Sequence, residues 1–218
     1  MNHDTIKEFE DLSKEYFNVP GHKKLRQGNK NRLPKYSFVV EKFNKEDNIV
    51  DAGCGGSYFK GIFPNLIAFD IVDYNNQDYV CNILDAPIPE DSQDGVFCFG
   101  VLHECPDEYH LPNIEKMLTW LKPNGQLVMR CKAKLVTNKH RKERLYARKY
   151  NEYFDQGLWS RERIDQFTKE LNLKLNWIKH RETLRKDQRS NVKRINFNSS
   201  HDNDVMFNGH IWSWSKNV

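Results

Sequence analysis

Ile49-Val50-Asp51-Ala52-Gly53-Cys54-Gly55-Gly56-Ser57 runs an apolar strand straight into a glycine-rich turn. Glycine in such a turn lets the backbone approach a ligand closely and leaves amide N–H groups free to bind it. A carboxylate at the strand end, Asp51, suits a ligand that carries an amino group or hydroxyls. Many strand-to-helix turns use glycine, so the meaning of this one rests on its surroundings. Seventeen positions after Gly53 the next apolar run ends in Ala68-Phe69-Asp70, where a carboxylate can accept both hydroxyls of a ribose. A third run ends in Cys81-Asn82-Ile83, an amide suited to the polar edge of adenine beside an aliphatic side chain suited to its face.

Outward from this stretch, short apolar runs alternate with amphipathic ones, the pattern of parallel strands joined by helical crossovers. Strands are predicted at Ile49–Ala52, Leu66–Phe69, Tyr79–Asn82, Gly95–Phe99 and Gln126–Cys131, followed by Leu173–Ile178 and His210–Trp214. Pro112–Leu121 reads as a helix with Ile114, Met117, Leu118 and Leu121 on one face, stopped by Lys122-Pro123-Asn124-Gly125. Ser160 caps another, through Ile164, Phe167 and Leu171. Before the first strand, Thr5 and Glu8 have the form of a capping box for a helix with Ile6, Phe9, Leu12 and Tyr16, ending near Pro20-Gly21. Pro34 opens a second helical pattern with Tyr36, Val39, Val40 and Phe43. The expectation is an α/β fold: a seven-stranded, mostly parallel sheet with an antiparallel last strand, helices on both faces, a helical cap over residues 1–44 and one globular unit over residues 45–218.

The 218 residues are enough for one such domain with a sizeable core. A hydrophobic fraction of 38% and a mean hydropathy of −0.82 are low for a compact enzyme, while 12% aromatic residues are too many for a disordered chain. A folded body with very polar outer segments reconciles the two. Acids and lysine interrupt residues 1–20, which leaves no apolar run for a signal peptide or membrane span, so a cytoplasmic protein without membrane attachment is expected. Cys54, Cys81, Cys98, Cys105 and Cys131 are odd in number and widely spaced, as reduced thiols packed like small hydrophobes would be. No C-x-x-C pair suggests zinc.

Several further motifs follow in order: Pro87-Ile88-Pro89-Glu90-Asp91-Ser92-Gln93-Asp94-Gly95, then Phe99-Gly100-Val101-Leu102-His103-Glu104, then Leu121-Lys122-Pro123-Asn124-Gly125-Gln126-Leu127. With the glycine-rich turn and Asp70 they make the chain resemble the class I S-adenosylmethionine (SAM)-dependent methyltransferases, over roughly residues 45 to 131 plus the terminal strand. Asp51, Gly53 and Gly55 match that family's hydrophobic-hydrophobic-D-x-G-x-G-x-G motif, and Ser57 stands where a third glycine is usual. Asp70 matches its ribose-binding acid, and Asn82 occupies the place of an Asp near adenine. The resemblance implies SAM as cofactor, held by Asp51, Gly53, Cys54, Gly55, Asp70, Asn82, Ile83 and Phe99. It places His103, at the exit that borders the transferring methyl, as the candidate base. It implies no metal. Taken singly, Asp51 and Asp70 also suit helix caps, Asn82 a turn and His103 a satisfied core histidine; their order favours the nucleoside site. A nicotinamide fold would use G-x-G-x-x-G, whereas the spacing here is G-x-G-G-S.

The acceptor is less legible, because SAM chemistry needs placement more than it needs dedicated catalytic groups. The chain has Phe99-Gly100-Val101-Leu102 where base-amine and glutamine methyltransferases show D/N-P-P-Y/F, and Cys105-Pro106 reverses the order used in cytosine C5 chemistry. Charge says more. Residues 22–33 carry five Lys or Arg and no acid, 130–149 carry nine against Glu143, and 179–194 carry seven against Glu182 and Asp187. The whole chain is only +4, so the remainder is strongly acidic. The basic segments 130–149 and 179–204 emerge where ligands of an open parallel sheet sit, with Tyr146, Tyr150, Tyr153, Phe154 and Trp159 placed as a surface for stacking bases. An anionic acceptor, RNA or another polyanion or phosphorylated molecule, is expected. A small-molecule or glycan methyltransferase and a non-catalytic SAM- or nucleic-acid-binding subunit remain the other readings, and charge runs are also ordinary solvated faces.

Overall fold

The computed structural model describes residues 3–18, 36–57, 59–132, 159–180 and 209–217. Seven strands form one sheet: β1 (Ile49–Ala52), β2 (Leu66–Asp70), β3 (Tyr79–Val80), β4 (Gln93–Phe99), β5 (Leu121–Lys132), β6 (Leu173–His180) and β7 (Gly209–Lys216), in the spatial order β3-β2-β1-β4-β5-β7-β6. The pairs from β3 across to β5 are parallel, and β7 runs antiparallel to both β5 and β6. This is the expected Rossmann-like sheet with its reversed last strand. The order turns back at β1, so the crevice at the carboxyl ends of β1 and β4 is the switch point where open α/β sheets bind ligands.

Strand alternation divides the core. Val50, Ala52, Val96, Cys98, Leu127 and Met129 pack under Ile114, Met117 and Trp120 of α3 (His110–Trp120), with Phe9 and Leu12 of α1 (His3–Phe17) in the same cluster. On the other face Phe97 and Val128 meet Tyr36, Phe59, Phe63 and Val39, the last from the single-turn helix α2 (Ser37–Val40). Pro112 falls in the first turn of α3, where no backbone N–H is required, so that helix starts at His110, before the expected Pro112. α1 is helical from His3, which puts Thr5 inside the helix instead of at its cap. Ser160 caps α4 (Arg161–Glu170) as expected, its hydroxyl accepting from the Arg163 amide at 3.3 Å.

Two boundaries differ from the sequence pattern for local reasons. Leu121 pairs with Gln93 and Gln126 with Gly95, so Lys122-Pro123-Asn124-Gly125 forms an irregularity within β5, not a turn before it. β3 stops at Val80 because Asn82 enters a turn, its Oδ1 accepting the Asp85 amide at 2.8 Å. All five cysteines are free, four of them buried, and burial pushes the Cys131 thiol up to about 12. Among the described residues no helix is long and apolar enough to cross a membrane.

Candidate active site

The glycine-rich turn is folded by left-handed backbone at alternate positions: Gly53 at φ +69°, Gly55 at +54° and Ser57 at +49°. The first two residues of the turn hang on β2, with the Gly53 and Cys54 amides donating to the Phe69 carbonyl at 2.9 and 3.0 Å. The third amide, of Gly55, donates to Asp70 Oδ2 at 2.8 Å, while Val72 donates to Oδ1 at 3.0 Å. Asp70 therefore locks the turn to the end of its own strand. A Cβ on Gly53 would lie 2.3 Å from Val101 Cγ2, so only glycine keeps the turn this close to the β4 exit.

A cleft opens beside the turn. Gly53, Asp70, Ile71, Ile83, Gly100, Val101 and Glu104 line it, and Phe9, Glu10, Ser13 and Phe17 of α1 line it as well. Those four positions recur on one helical face, adjacent to the Phe9–Leu12 stripe that enters the core. Asp51 lies behind the turn, buried, with Oδ2 lacking a hydrogen-bond partner among the described residues. Loss of solvent, and secondarily the charge of Asp70, raise its carboxyl to about 8.

The expected site residues separate into those at the cleft and those that support it. Gly53, Asp70, Asn82 and Ile83 line it. Asn82 spends its amide on the protein, donating to Glu10 Oε1 of α1 and to Asp85 Oδ2 at 2.6 Å, so it ties the first helix to the strand end and has only Oδ1 capacity left for a ligand. Cys54 and Phe99 belong to the core cluster behind the turn, with Phe99 stacked on Tyr36 at 4.8 Å between centroids. Gly55 acts through its amide on Asp70. His103 sits in the 3-10 turn Leu102–Glu104 with 2% of its surface exposed, its Nε2 3.1 Å from Glu104 Oε1. Glu104, not His103, lines the cleft.

The sequence pattern did not single out Ile71, Val101 or the α1 face. Ile71 directly follows Asp70 and lines the same cleft as Ile83, a placement readable only once both strand ends share one register. Trp159 is fully buried against Trp212, Phe167 and His110, which corrects its expected place on a stacking surface. Tyr146, Tyr150, Tyr153 and Phe154, residues 22–33 and nearly all of 130–149 and 179–204 lie outside the described residues. Among the described residues no group of three His, Cys, Asp or Glu could hold a metal.

Residues 50–129, from β1 to β5, match a family described as a methyltransferase domain. Over this segment the chain is similar to the class I SAM-dependent methyltransferases. No curated protein sequence matches the chain, but the fold of this domain recurs in solved structures. Haemonchus contortus phosphoethanolamine N-methyltransferase 2, in complex with SAM, is 12% identical with a TM-score of 0.61, covering 96% of this chain, which spans 60% of that one. Burkholderia thailandensis 1,6-didemethyltoxoflavin-N1-methyltransferase is 11% identical over 97% of this chain and 90% of its own, with a TM-score of 0.65. Geranyl diphosphate C-methyltransferase from Streptomyces coelicolor A3(2) is 16% identical over 83% and 78%, with a TM-score of 0.53.

The residues of the methyltransferase domain fit the cofactor the family implies. Asp70 would accept from a ribose, Ile71 and Ile83 add aliphatic walls to the lining, and a Cβ at Gly53 would collide with Val101. Gly53, Gly100 and Glu104, which also line the cleft, would take the methionine part.

Proposed function

We propose that this chain transfers a methyl group from SAM to an oxygen or nitrogen nucleophile of an anionic acceptor. The observation that carries the cofactor half is the cleft itself: an acidic β2 tip hydrogen-bonded to a glycine-rich turn, with aliphatic side chains beside it, at the switch point of the sheet. Bound SAM supplies a methyl already activated by its sulfonium, so the protein's task is to hold donor and acceptor in line and to exclude water. The apolar side chains of α1, Phe9 and Phe17, serve the second purpose. The concentration of Lys and Arg in residues 22–33, 130–149 and 179–194 supports the anionic acceptor. Phosphoethanolamine and geranyl diphosphate, in the names of two of the similar enzymes, both carry phosphate.

A second reading, a small-molecule acceptor, draws on the narrow apolar lining: Phe9 and Tyr109 sit 4.9 Å apart between ring centroids at its wall, as a closed pocket for a compact substrate would need. Calorimetry with SAM and with its demethylated product S-adenosylhomocysteine (SAH), followed by transfer of labelled methyl into fractionated RNA, protein and metabolites, tests both. The expected result is binding of both nucleosides and label in a phosphate-bearing fraction. Binding without transfer into any fraction would leave an accessory subunit as the better description.

A further inference from the structure

The carboxylate and amide side chains that line the cleft have partners within the protein; one hydroxyl does not. Asp70 accepts the Gly55 and Val72 amides, Asn82 donates to Glu10, Asn113 donates to the Tyr109 carbonyl at 2.5 Å, and Glu104 lies 3.1 Å from His103 Nε2. Ser13 lines the same cleft with 3% of its surface exposed, and its Oγ has no hydrogen-bond partner among the described residues. Asp51 and Ser57 also hold buried oxygens without a described partner, but neither lines the cleft. A serine inside a helix ordinarily turns its hydroxyl back onto the carbonyl three or four residues earlier. In α1 those carbonyls belong to Glu10 and Phe9, and Ser13 bonds to neither. An unpaired buried hydroxyl is costly, and alanine would suit the helix better, so this position calls for a partner from outside the chain. Ser13 lies one helical turn beyond Glu10 on the same face. Glu10 is fastened to Asn82, two residues past Val80, which is the β3 partner of Asp70 on β2. The hydroxyl is thus carried by the helix face that is tied to the chain beside the β2 tip.

We infer that Ser13 hydrogen-bonds the adenosine part of the bound cofactor, which makes α1 a part of the cofactor site. The inference rests on the SAM assignment above. Ser13 lies outside residues 50–129 and belongs to none of the sequence motifs. A hydroxyl can donate to a ring nitrogen or accept from a ribose hydroxyl or an exocyclic amine, so either polar edge of adenosine satisfies it. Binding then does two things at once: it adds a hydrogen bond and it removes the cost of an unpaired hydroxyl in the free protein. Because adenosine is common to SAM and SAH, the contact strengthens both alike and does not discriminate between them.

Calorimetry on the full chain tests it without any acceptor, using SAM, SAH and 5′-methylthioadenosine, which keeps the adenosine and lacks the amino-acid tail. In S13A all three are expected to bind about tenfold more weakly, while the urea midpoint of the ligand-free protein holds or rises. That opposition separates a ligand contact from a structural role, in which removal of the hydroxyl would lower the midpoint. S13C keeps nearly the same volume with a poor hydrogen-bonding group and is expected to lose most of the same affinity, which shows that the bond and not the bulk matters. Unchanged affinities in S13A, or a lowered midpoint, overturn the role of Ser13. A loss confined to SAM and SAH, with 5′-methylthioadenosine unaffected, would put the hydroxyl on the amino-acid tail and overturn the adenosine contact. Absence of nucleoside binding by the unaltered protein overturns instead the cofactor assignment on which the inference stands.

Discussion

At the scale of single residues the turn after β1 shows why a motif tolerates one departure and not another. Ser57 replaces the usual third glycine but keeps a glycine's backbone, φ +49°, and its buried hydroxyl has no partner among the described residues. The left-handed conformation costs a non-glycine residue about 1–2 kcal/mol, and glycine's extra unfolded-state entropy returns only about 0.5–1 kcal/mol. Ser57→Gly is therefore expected to stabilise the free protein by about 1 kcal/mol in urea unfolding; a destabilised variant would show that the hydroxyl is bound. Asp51 gives a pH signature. Its folded carboxyl titrates near 8, against an unfolded value near 3.8, because of lost solvent and then Asp70. A raised value means stability present at low pH and lost as pH rises from about 4 to 8, with a slope of up to about 1.4 kcal/mol per unit. Asp51→Asn should remove that slope, as measured by urea midpoints between pH 5 and 8, most clearly above pH 6.5. Both residues were visible in the sequence, yet neither the strain at one nor the burial of the other was, because each depends on how the turn hangs from the Phe69 carbonyl.

At the scale of elements, α4 is fastened to the active-site turn by one ring. His110, at the start of α3, places Nε2 2.6 Å from the Leu102 carbonyl and 3.2 Å from that of Cys105, while Nδ1 faces Arg163 Nη2 at 2.8 Å. The guanidinium donates, so Nδ1 is bare, and Nε2 carries the proton that the two carbonyls accept. Burial first, then the Arg163 charge, lowers this imidazole to about 4. Its contribution is thus present above about 6.5 and lost as pH falls toward 4, opposite in sign to that of Asp51 over the shared range. Arg163→Met is expected to raise the His110 value part of the way to the ordinary one, since desolvation remains, and to shrink the acid-side loss of stability. An NMR titration of the ring, with urea midpoints at pH 5 and 7, measures both; an unmoved His110 titration would dissociate the pair. The succession of strands along the chain and the Ser160 cap were legible from periodicity and capping chemistry. The His110–Arg163 link, the burial of Trp159 and the division of labour between His103 and Glu104 were not, because residues adjacent in one turn differ only in which way the tertiary packing rotates them.

At the scale of the whole molecule two charge distributions have to be reconciled. The described lining of the cleft offers Glu10, Asp70 and Glu104 and no Lys or Arg, which suits a cationic cofactor, whereas the basic residues concentrate in 22–33, 130–149 and 179–194. An anionic acceptor would then be gripped by its phosphates away from the reacting atom and would present a neutral or proton-bearing nucleophile to the cleft. Salt dependence distinguishes how many phosphates take part. A single-stranded RNA engaging about five phosphates loses affinity with a slope of about −3.5 in log K against log salt, about a hundredfold between 50 and 200 mM, whereas a phosphomonoester with one contact loses only a few-fold. Fluorescence anisotropy of a labelled oligonucleotide across that range, beside a competing phosphomonoester, is expected to show the steep slope. Affinity that holds constant across the salt range, or no binding of either probe, would remove the anionic acceptor and leave the enclosed aromatic wall at Phe9 and Tyr109 as the better guide to the substrate.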